Sequence, residues 1–387
     1  MIPYGRQNIS QQDIDSVIEV LKSDFLTQGP KVPIFENLLA AQFKAKHALA
    51  VNSATSALHI ACMALGLGKG DWLWTSPVTF VASANAGLYC GAKVDFVDID
   101  PRTYNLCPKK LAKKFEIASS AGHLPKILVP VHLCGQPCDM KNIRELCNKY
   151  NVKVIEDASH AIGGSYQGEP IGSCKYSDIT VFSFHPVKIV TTAEGGAALT
   201  NDHELAKKMA LHRGHGITRD INEMTETPHG PWYYQQITLG YNYRMTDLQA
   251  ALGISQMTRL GEFVSSRHEI AERYNSLLKN LPLQVPYQLD NTYSSFHLYV
   301  VKLCLEDISV SHREVFEDLR AKEIGVNLHY IPVYMHPHYR KMSFKNGDFP
   351  ESERYYATAI SLPIYPGLCE NDQDFIAESL ACALVKK

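Results

Sequence analysis

The sequence lacks both an excess of one charge and a long apolar run. Its 387 residues include 38 lysines and arginines against 40 aspartates and glutamates, which gives a formal net charge of −2. A protein that binds nucleic acid through the phosphates needs a basic surface, so general DNA or RNA binding is not expected. Because no run of about 18 apolar residues occurs, a membrane span is excluded. The first residues also lack the pattern of a signal peptide, which favours the cytoplasm.

Repeats, low-complexity tracts and a disulfide pattern are absent as well. The ten cysteines are scattered, and a disulfide framework is not expected in so long a chain without a signal peptide. The spacing of Cys134, Cys138 and Cys147 does not match a zinc motif, and no histidine pair accompanies them, so the sequence predicts no metal site. The composition, with 45% hydrophobic and 20% charged residues, is typical of a globular protein that buries a large core.

Short apolar runs alternate with amphipathic stretches between residue 47 and about residue 200. This alternation predicts an α/β fold with a mainly parallel sheet that is covered by helices. The predicted strands are 47–51, 72–75, 94–97, 127–131, 152–155, 179–182 and 196–199. The predicted helices before and between them are 11–23, 55–65, 80–90, 109–117 and 140–150.

The pattern changes after a long predicted helical region at 246–279. The elements predicted beyond it are a strand at 296–303 and helices at 312–322 and 372–384. They indicate a smaller α+β unit. We place the boundary near residue 265, which gives a large domain at 1–265 with an N-terminal arm and a small domain at 266–387. Because a helix links the two domains, we expect them to be rigidly related.

Charged residues follow the ends of two apolar strands. Glu156 and Asp157 sit at the carboxyl end of the strand at 152–155, and the carboxyl ends of strands are where an open α/β sheet binds ligands. Lys188 follows the next apolar strand and a turn that contains Pro186. A pyridoxal-phosphate enzyme needs such a pair, since the lysine forms a Schiff base and the aspartate keeps the pyridine nitrogen protonated. A helix-capping aspartate and a surface lysine are the ordinary alternative.

A second group of residues has the properties of a phosphate site. Residues 52–57 join a strand to a helix, and their small side chains would let the amides at the helix N-terminus approach an anion. Ser183 could add another donor, and Phe80 could cover a planar ring. Each has an ordinary alternative, because serine and threonine are common N-caps and a phenylalanine is most often part of the core.

Seven motifs occur in the order typical of one family. They are LTQGP at 26–30, NSATSALH at 52–59, TFVASANA at 79–86, IEDASHAIG at 155–163, SFHPVK at 183–188, EGGAALTND at 194–202 and GYNYRMTDLQAALG at 240–253. The chain resembles the sugar-nucleotide aminotransferases of the DegT/DnrJ/EryC1/StrS family over nearly its whole length. This resemblance implies the pyridoxal-phosphate type I fold, which is also that of aspartate aminotransferase.

The resemblance also implies a role for each matching residue. Lys188 would form the Schiff base with pyridoxal 5′-phosphate and then act as base and acid in the proton shift. Asp157 would pair with the pyridinium, and His160 would bond the ring hydroxyl or pack over the ring, although a buried structural histidine is the alternative. Asn242 would reach the phosphate in a neighbouring subunit, which implies a homodimer with shared active sites. The implied cofactor-binding residues are Ala54, Thr55, Phe80, Asp157, His160, Ser183, Lys188 and Asn242.

The implied substrate-binding residues lie far apart along the chain. They are Tyr4, Asp24, Phe25, Leu26, Thr27, Arg244, His329, Tyr330, Ile331 and Pro332. Arg244 would bind a substrate phosphate. For His329 and Tyr330, ordinary surface-loop structure is the alternative.

Four segments favour one branch of the family. They are SFHPVK at 183–188, TTAEGGA at 191–197, PWYY at 231–234 and HYIPVY at 329–334. Their similarity to the transaminases of pseudaminic acid biosynthesis implies a UDP-linked 4-keto-6-deoxy-N-acetylhexosamine as amino acceptor and L-glutamate as donor. A GDP- or dTDP-linked keto sugar is the alternative substrate. A dehydratase of the same fold or a non-enzymatic protein is disfavoured, because Lys188 is present.

Overall fold

The computed structural model describes residues 1–385, and most of its elements match the predicted alternation. The helices are α1 (Gln11–Leu21), α2 (Lys31–Phe43), α3 (Ala54–Ala64), α4 (Ala82–Tyr89), α5 (Pro108–Ala121), α6 (Met140–Lys149), α7 (His203–Arg213), α8 (Asp247–Met257), α9 (Leu260–Leu278), α10 (His312–Ala321), α11 (Pro337–Arg340), α12 (Pro350–Thr358) and α13 (Glu370–Leu384). The strands are β1 (His47–Val51), β2 (Trp72–Thr75), β3 (Lys93–Phe96), β4 (Ile127–Val129), β5 (Lys153–Asp157), β6 (Ser165–Tyr166), β7 (Glu169–Pro170), β8 (Ile179–Ser183), β9 (Gly196–Thr200), β10 (Ile217–Thr218), β11 (Gln235–Gln236), β12 (Leu283–Gln284), β13 (Thr292–Tyr293), β14 (Tyr299–Leu303) and β15 (Ala359–Leu362). Within residues 1–385, every helix is too short or too polar to cross a membrane.

A seven-stranded sheet forms the centre of the large unit. Its order is β1-β9-β8-β5-β4-β2-β3, and only β9 runs antiparallel to its neighbours. Successive residues of β5 and β8 face opposite sides: Val154 and Phe182 enter one hydrophobic cluster, whereas Ile155 and Val181 enter another. The sheet is therefore buried on both faces, as a parallel sheet requires. This confirms the predicted α/β fold class.

A smaller three-stranded antiparallel sheet, β12-β14-β15, lies in the C-terminal part of the chain. Helix α9 connects the two parts, since Val264 packs in a cluster of the large unit and Ile270 packs in the cluster of the small one. Ile2 forms a β-bridge with Ile324, so the N-terminal arm contacts the small unit. The packing of α9 changes from one cluster to the other close to residue 265. A domain boundary at that residue remains a prediction.

The predicted helical region at 246–279 is helical as expected, and it consists of two helices, α8 and α9, with a break between them. The Thr258 hydroxyl donates to the Ser255 carbonyl at 2.7 Å where α8 ends. The Arg259 guanidinium then binds Asn8 Oδ1 and Asp13 Oδ2, both at 2.7 Å. The residue at the break therefore holds the N-terminal segment against the large unit.

The predicted strand at 296–303 begins three residues late, at Tyr299. Phe296 has a positive φ of 43°, which an extended strand does not allow. The carbonyls of Phe296 and His297 accept hydrogen bonds from the buried Arg267 guanidinium at 3.1 and 3.2 Å, and the Leu298 amide donates to the Cys134 carbonyl. The backbone of this segment therefore bonds to groups in the protein interior, whereas a strand would have bonded to its neighbours in a sheet.

Helix α1 forms as predicted, but three of its large apolar side chains are exposed. Ile14, Ile18 and Leu21 are 44%, 38% and 57% exposed. The buried residues on this helix are Asp13 and Val20, and Asp13 binds the side chains of Arg259, Ser255 and Gln256. The helix is therefore fixed to the large unit by polar contacts, and its apolar stripe lies on the surface of the single chain.

Candidate active site

A cavity of about 390 Å³ lies at the carboxyl ends of β5 and β8. The parallel register of these strands places Asp157 beside Val181, so Asp157 and Ser183 reach the same edge of the sheet. The predicted cofactor residues that line this cavity are Ala54, Thr55, Phe80, Asp157, His160, Ser183 and Lys188. The fold therefore brings together residues that are far apart in the sequence, as expected for a switch point in an open α/β sheet.

Asp157 presents a buried and firmly held carboxylate. It is 5% exposed, and it accepts hydrogen bonds from the hydroxyls of Ser83 and Ser159, both at 2.6 Å. A carboxylate has about four acceptor positions, so these oxygens can still accept from a cationic N–H donor in the cavity. Glu156 lies on the opposite face of β5 and is bound to His132 Nε2 at 2.8 Å. Asp157 is therefore the acidic residue of this strand that faces the cavity.

Lys188 also lines the cavity, and its side-chain amine is free. Within residues 1–385, its Nζ makes no hydrogen bond or ion pair. Burial lowers the pKa of Lys188 to about 8, although the Asp157 carboxylate acts in the opposite direction. A lysine with this pKa exchanges its proton near neutral pH, which a nucleophile or general base must do.

The turn before α3 offers free backbone donors. The Ser53 hydroxyl accepts from the Ser56 amide at 3.1 Å and so caps the helix. In the described chain, the amides of Ala54 and Thr55 and the hydroxyl of Ser183 have no hydrogen-bond partner. A Cβ atom at Gly196 would overlap the Ala54 amide nitrogen, which explains a glycine at that position. Free amides at a helix N-terminus fit a phosphate group.

Phe80 is 58% exposed, and its ring centroid lies 6.1 Å from that of Tyr330 at the cavity. The alternative of a core phenylalanine is therefore wrong. An exposed aromatic face, a carboxylate for a ring nitrogen, a free lysine amine and free amides for a phosphate together fit pyridoxal phosphate. The donor set of this cavity thus agrees with the cofactor that the sequence implied.

His160 both lines the cavity and bonds to the protein. Its Nδ1 accepts from the Cys134 amide at 3.3 Å, and its Nε2 lies 3.1 Å from the Tyr330 hydroxyl. Burial, with smaller contributions from Lys188 and His329, holds the pKa of His160 well below its usual range. His160 is therefore a neutral histidine, and its two ring nitrogens have different roles.

The predicted substrate residues fall into two groups. Tyr4, His329 and Tyr330 line the cavity. The others do not line it within one chain: Asp24, Phe25, Leu26 and Thr27 are exposed, Ile331 is 42% exposed, Pro332 is buried, and Arg244 lies outside it. The predicted cofactor residue Asn242 is also exposed and outside the cavity. The surface-loop alternative for His329 is wrong, since this residue is 6% exposed.

Several residues of the cavity were not singled out by the sequence. Ser159 lines the cavity and binds Asp157, and its position two residues after that carboxylate could have identified it. Ser83 binds Asp157 from outside the cavity lining, and it is 74 residues away in the chain, so only the fold identifies it. Asn327 lines the cavity, and its Nδ2 lies 3.3 Å from His329 Nε2. It belongs to a loop without a local pattern, so only the folded structure identifies it.

Known proteins match this chain over almost its full length. The model of the DegT/DnrJ/EryC1/StrS aminotransferase family matches residues 7–381. The chain is 38% identical over 387 residues to the UDP-4-amino-4,6-dideoxy-N-acetyl-β-L-altrosamine transaminase of Campylobacter jejuni, covering all of this chain and 98% of the relative.

Two solved structures are similar to the whole fold. Helicobacter pylori PseC, an aminotransferase involved in the biosynthesis of pseudoaminic acid, has a TM-score of 0.90 and 31% identity, with 99% of each chain covered. The putative sugar aminotransferase Spr1654 of Streptococcus pneumoniae, in its PMP form, has a TM-score of 0.90 and 27% identity, with 99% of each chain covered. With the cavity described above, these similarities establish that the chain belongs to the DegT/DnrJ/EryC1/StrS aminotransferase family and is a pyridoxal-phosphate-dependent aminotransferase.

Proposed function

We propose that this aminotransferase converts a UDP-linked 4-keto-6-deoxy-N-acetylhexosamine into the 4-amino sugar, with L-glutamate as donor, in pseudaminic acid biosynthesis. The observation that carries the proposal is the free Lys188 amine, which faces the same cavity as Asp157. The substrate is supported by the named relative from Campylobacter jejuni, to which the similarity extends over the whole chain.

The residues of the cavity divide the work between them. Pyridoxal phosphate supplies an electron sink for the carbon that carries the amino group. Asp157 would pair with the ring nitrogen, since its carboxylate faces the cavity and is oriented by its two serine donors. Lys188 Nζ would carry the proton between C4 of the sugar and C4′ of the cofactor, because a pKa of about 8 lets it exchange protons near neutral pH.

The wall of the cavity supplies polar but uncharged groups for a sugar. Burial lowers the pKa of His329 to about 3, so this histidine is neutral, and Tyr4 and Asn327 add a hydroxyl and an amide. A nucleotide diphosphate therefore needs cations from another part of the protein. Arg244 is a candidate, since its side chain has no hydrogen-bond or ion-pair partner in the described residues.

We further propose that a second copy of the chain completes the site. Arg244 and Asn242 lie outside the cavity of their own chain, and Asn242 is exposed. The apolar stripe of α1 and the exposed Phe25 offer a surface that a second copy would cover. A homodimer with shared active sites would bring such residues to the cavity of the neighbouring subunit.

The cytoplasm remains our predicted compartment. All ten cysteines lie within residues 1–385, and none forms a disulfide. Free thiols in this number agree with a reducing compartment. Fractionation of the source cells with an antibody to the chain would test the prediction.

A panel of nucleotide-linked keto sugars tests the substrate. The protein is loaded with pyridoxal phosphate and mixed with L-glutamate and UDP-, GDP- or dTDP-linked 4-keto sugars, and the products are identified by mass. We expect the amino sugar from the UDP-linked N-acetylated substrate together with 2-oxoglutarate. Preferred amination of a GDP- or dTDP-linked sugar would replace the proposed substrate, and the same panel with L-alanine or L-glutamine would identify another donor. The Lys188→Ala variant is the blank.

A further inference from the structure

The hydroxyl of Tyr330 has a proton without an acceptor. His160 Nδ1 accepts from the Cys134 amide, so in neutral His160 the ring proton is on Nε2. That proton points to the Tyr330 oxygen, 3.1 Å away, so Tyr330 is the acceptor in this hydrogen bond. Among residues 1–385 the Tyr330 hydroxyl has no other partner, and Tyr330 lines the cavity. Its O–H is therefore left to donate toward whatever the cavity holds.

The protonation of both residues is fixed near neutral pH. Burial holds the pKa of His160 well below its usual range, so the ring does not take a second proton. Burial raises the pKa of Tyr330 far above its usual range, and the nearby Asp157 carboxylate acts in the same direction. The direction of the hydrogen-bond chain from Cys134 through His160 to Tyr330 is thus constant.

The surroundings also fix the position of the donor. The backbone carbonyl of His160 accepts a hydrogen bond from the Ser295 hydroxyl at 2.8 Å. The centroid of the His160 ring lies 4.4 Å from that of the His297 ring. The residue before Tyr330 is held through its carbonyl by the Tyr355 hydroxyl at 2.6 Å. A donor held on both sides in this way is preorganised, and it needs little reordering when a ligand arrives.

We propose that Tyr330 is a hydrogen-bond donor to an oxygen of the bound ligand, and that His160 is the positioning residue that directs this donor. The acceptor is either the ring oxygen of pyridoxal phosphate or the carbonyl oxygen of the keto substrate, which share the chemistry of an electron-rich oxygen. A hydrogen bond to the ring oxygen requires only the cofactor, whereas a hydrogen bond to the substrate carbonyl rests on the function proposed above.

The first experiment uses the cofactor alone. Tyr330→Phe removes the hydroxyl and keeps the ring, and Tyr339→Phe is the matched control, since the Tyr339 hydroxyl bonds to Asn85 at 2.6 Å outside the cavity. If the acceptor is the ring oxygen, Tyr330→Phe weakens pyridoxal-phosphate binding about tenfold, the loss expected for one hydrogen bond to a charged group. It also shifts the absorption maximum of the bound cofactor, because the ring oxygen loses a hydrogen-bond donor, and Tyr339→Phe should leave that maximum unchanged.

The second experiment measures the keto sugar with fully loaded enzyme. If the acceptor is the substrate carbonyl, Tyr330→Phe leaves the cofactor spectrum unchanged and lowers kcat/KM for the sugar about tenfold, mainly through kcat. The proposal would be overturned if Tyr330→Phe changed neither pyridoxal-phosphate binding and its spectrum nor kcat/KM for the sugar. Equal losses in Tyr339→Phe would also overturn it. If the wild-type protein aminates no sugar of the panel, the proposed substrate is wrong. In that case, unchanged pyridoxal-phosphate binding and absorption in Tyr330→Phe would by themselves overturn the role of Tyr330.

Two variants of His160 separate positioning from simple packing. His160→Leu removes both ring nitrogens, and we expect it to show the same spectral shift or kcat/KM loss as Tyr330→Phe. His160→Gln keeps one acceptor and one donor and should recover most of the effect. A His160→Leu protein with a wild-type spectrum and wild-type kcat/KM would overturn the positioning role.

Discussion

Two parts of the cavity differ in their origin and their charge. The cavity floor consists of Asp157 and Ser183 at strand ends of the central sheet, Lys188 in the turn after β8, and the turn at 53–55 where α3 begins. The cavity wall consists of Tyr4 and residues 327–330, which come from the N-terminal arm and from a loop near the small sheet. The floor therefore depends on local chain geometry, whereas the wall depends on how distant parts of the chain pack.

Charge separates the two parts as well. The floor carries the Asp157 carboxylate and the Lys188 amine, whose pKa is lowered to about 8 by burial. The wall carries neutral groups near pH 7, because burial lowers the pKa of His329 to about 3 and raises that of Tyr330. Proton transfer thus belongs to the floor, and ligand recognition through neutral hydrogen bonds belongs to the wall.

The largest expected effect is at Lys188. Lys188→Arg keeps a positive charge but cannot bind the cofactor covalently or exchange protons near neutral pH, so transamination should fall roughly 10³-fold or more. The measurement is product formation with saturating pyridoxal phosphate, together with the absorption spectrum. Lys153→Arg, an exchange at the start of β5 outside the cavity, is the control and should keep full activity. Turnover retained by Lys188→Arg would refute the role of the floor.

The residues of the floor could be proposed from the sequence, because they lie next to well-defined strands and a helix start. The local pattern left a surface lysine and a helix-capping aspartate as alternatives, and the family resemblance decided between them. The strand Trp72–Thr75 matches its predicted bounds, since the polar Asp71 and the helix-breaking Pro77 limit the apolar run. Asp157 is the last residue of β5, and Lys188 lies in the short turn after β8, so both side chains lie close to the edge of the sheet. Short connections leave little freedom for such residues.

The wall and the face of α1 could not be predicted in this way. The helix at 11–23 was correctly predicted, but the sequence pattern did not show that Asp13 would be one of its two buried residues. The partner of Asp13 is Arg259, which is 246 residues away in the chain. The role of Asn327 in the cavity wall likewise depends on tertiary packing, which no local spacing encodes.

The next effect compares the two acidic residues of β5. Asp157→Asn removes the charge that faces the cavity, so the rate should fall roughly 10²-fold, in the range for losing one electrostatic partner of the reacting group. Glu156→Gln changes the other face, where His132 and Thr180 are its partners, and the rate should remain close to wild type. Single-turnover rates of both variants provide the comparison. A larger loss in Glu156→Gln would assign the ring nitrogen to Glu156 and contradict our assignment.

A smaller effect is expected from pH. The neutral amine of Lys188 captures the cofactor, so the rate of pyridoxal-phosphate binding should rise about tenfold from pH 7 to pH 9 and then level off. A lysine with the ordinary pKa of 10.5 would give a rate that keeps rising above pH 9. Stopped-flow absorbance of the cofactor-free protein gives the profile. Asp157→Asn should move the midpoint to lower pH, because the carboxylate raises the pKa of Lys188; an unmoved midpoint would mean that the two groups are not coupled.

The smallest expected effect tests whether the wall continues into a second subunit. Lys188→Ala chains and Asn242→Arg chains should each be inactive alone, if Asn242 reaches the phosphate site of the neighbouring subunit. Asn242 is exposed, so a bulky change there should not prevent folding. In a mixed dimer, one site would combine the intact Lys188 with the intact Asn242, while the other site would carry both changes. Random exchange gives about half mixed dimers with one intact site each, so roughly one quarter of wild-type activity should return.

Subunit exchange is verified with two affinity tags, and wild-type chains mixed with Lys188→Ala chains give the reference for dilution. Verified exchange without recovered activity would place Asn242 in the site of its own chain or outside the active site, and the wall would then be complete within a single chain.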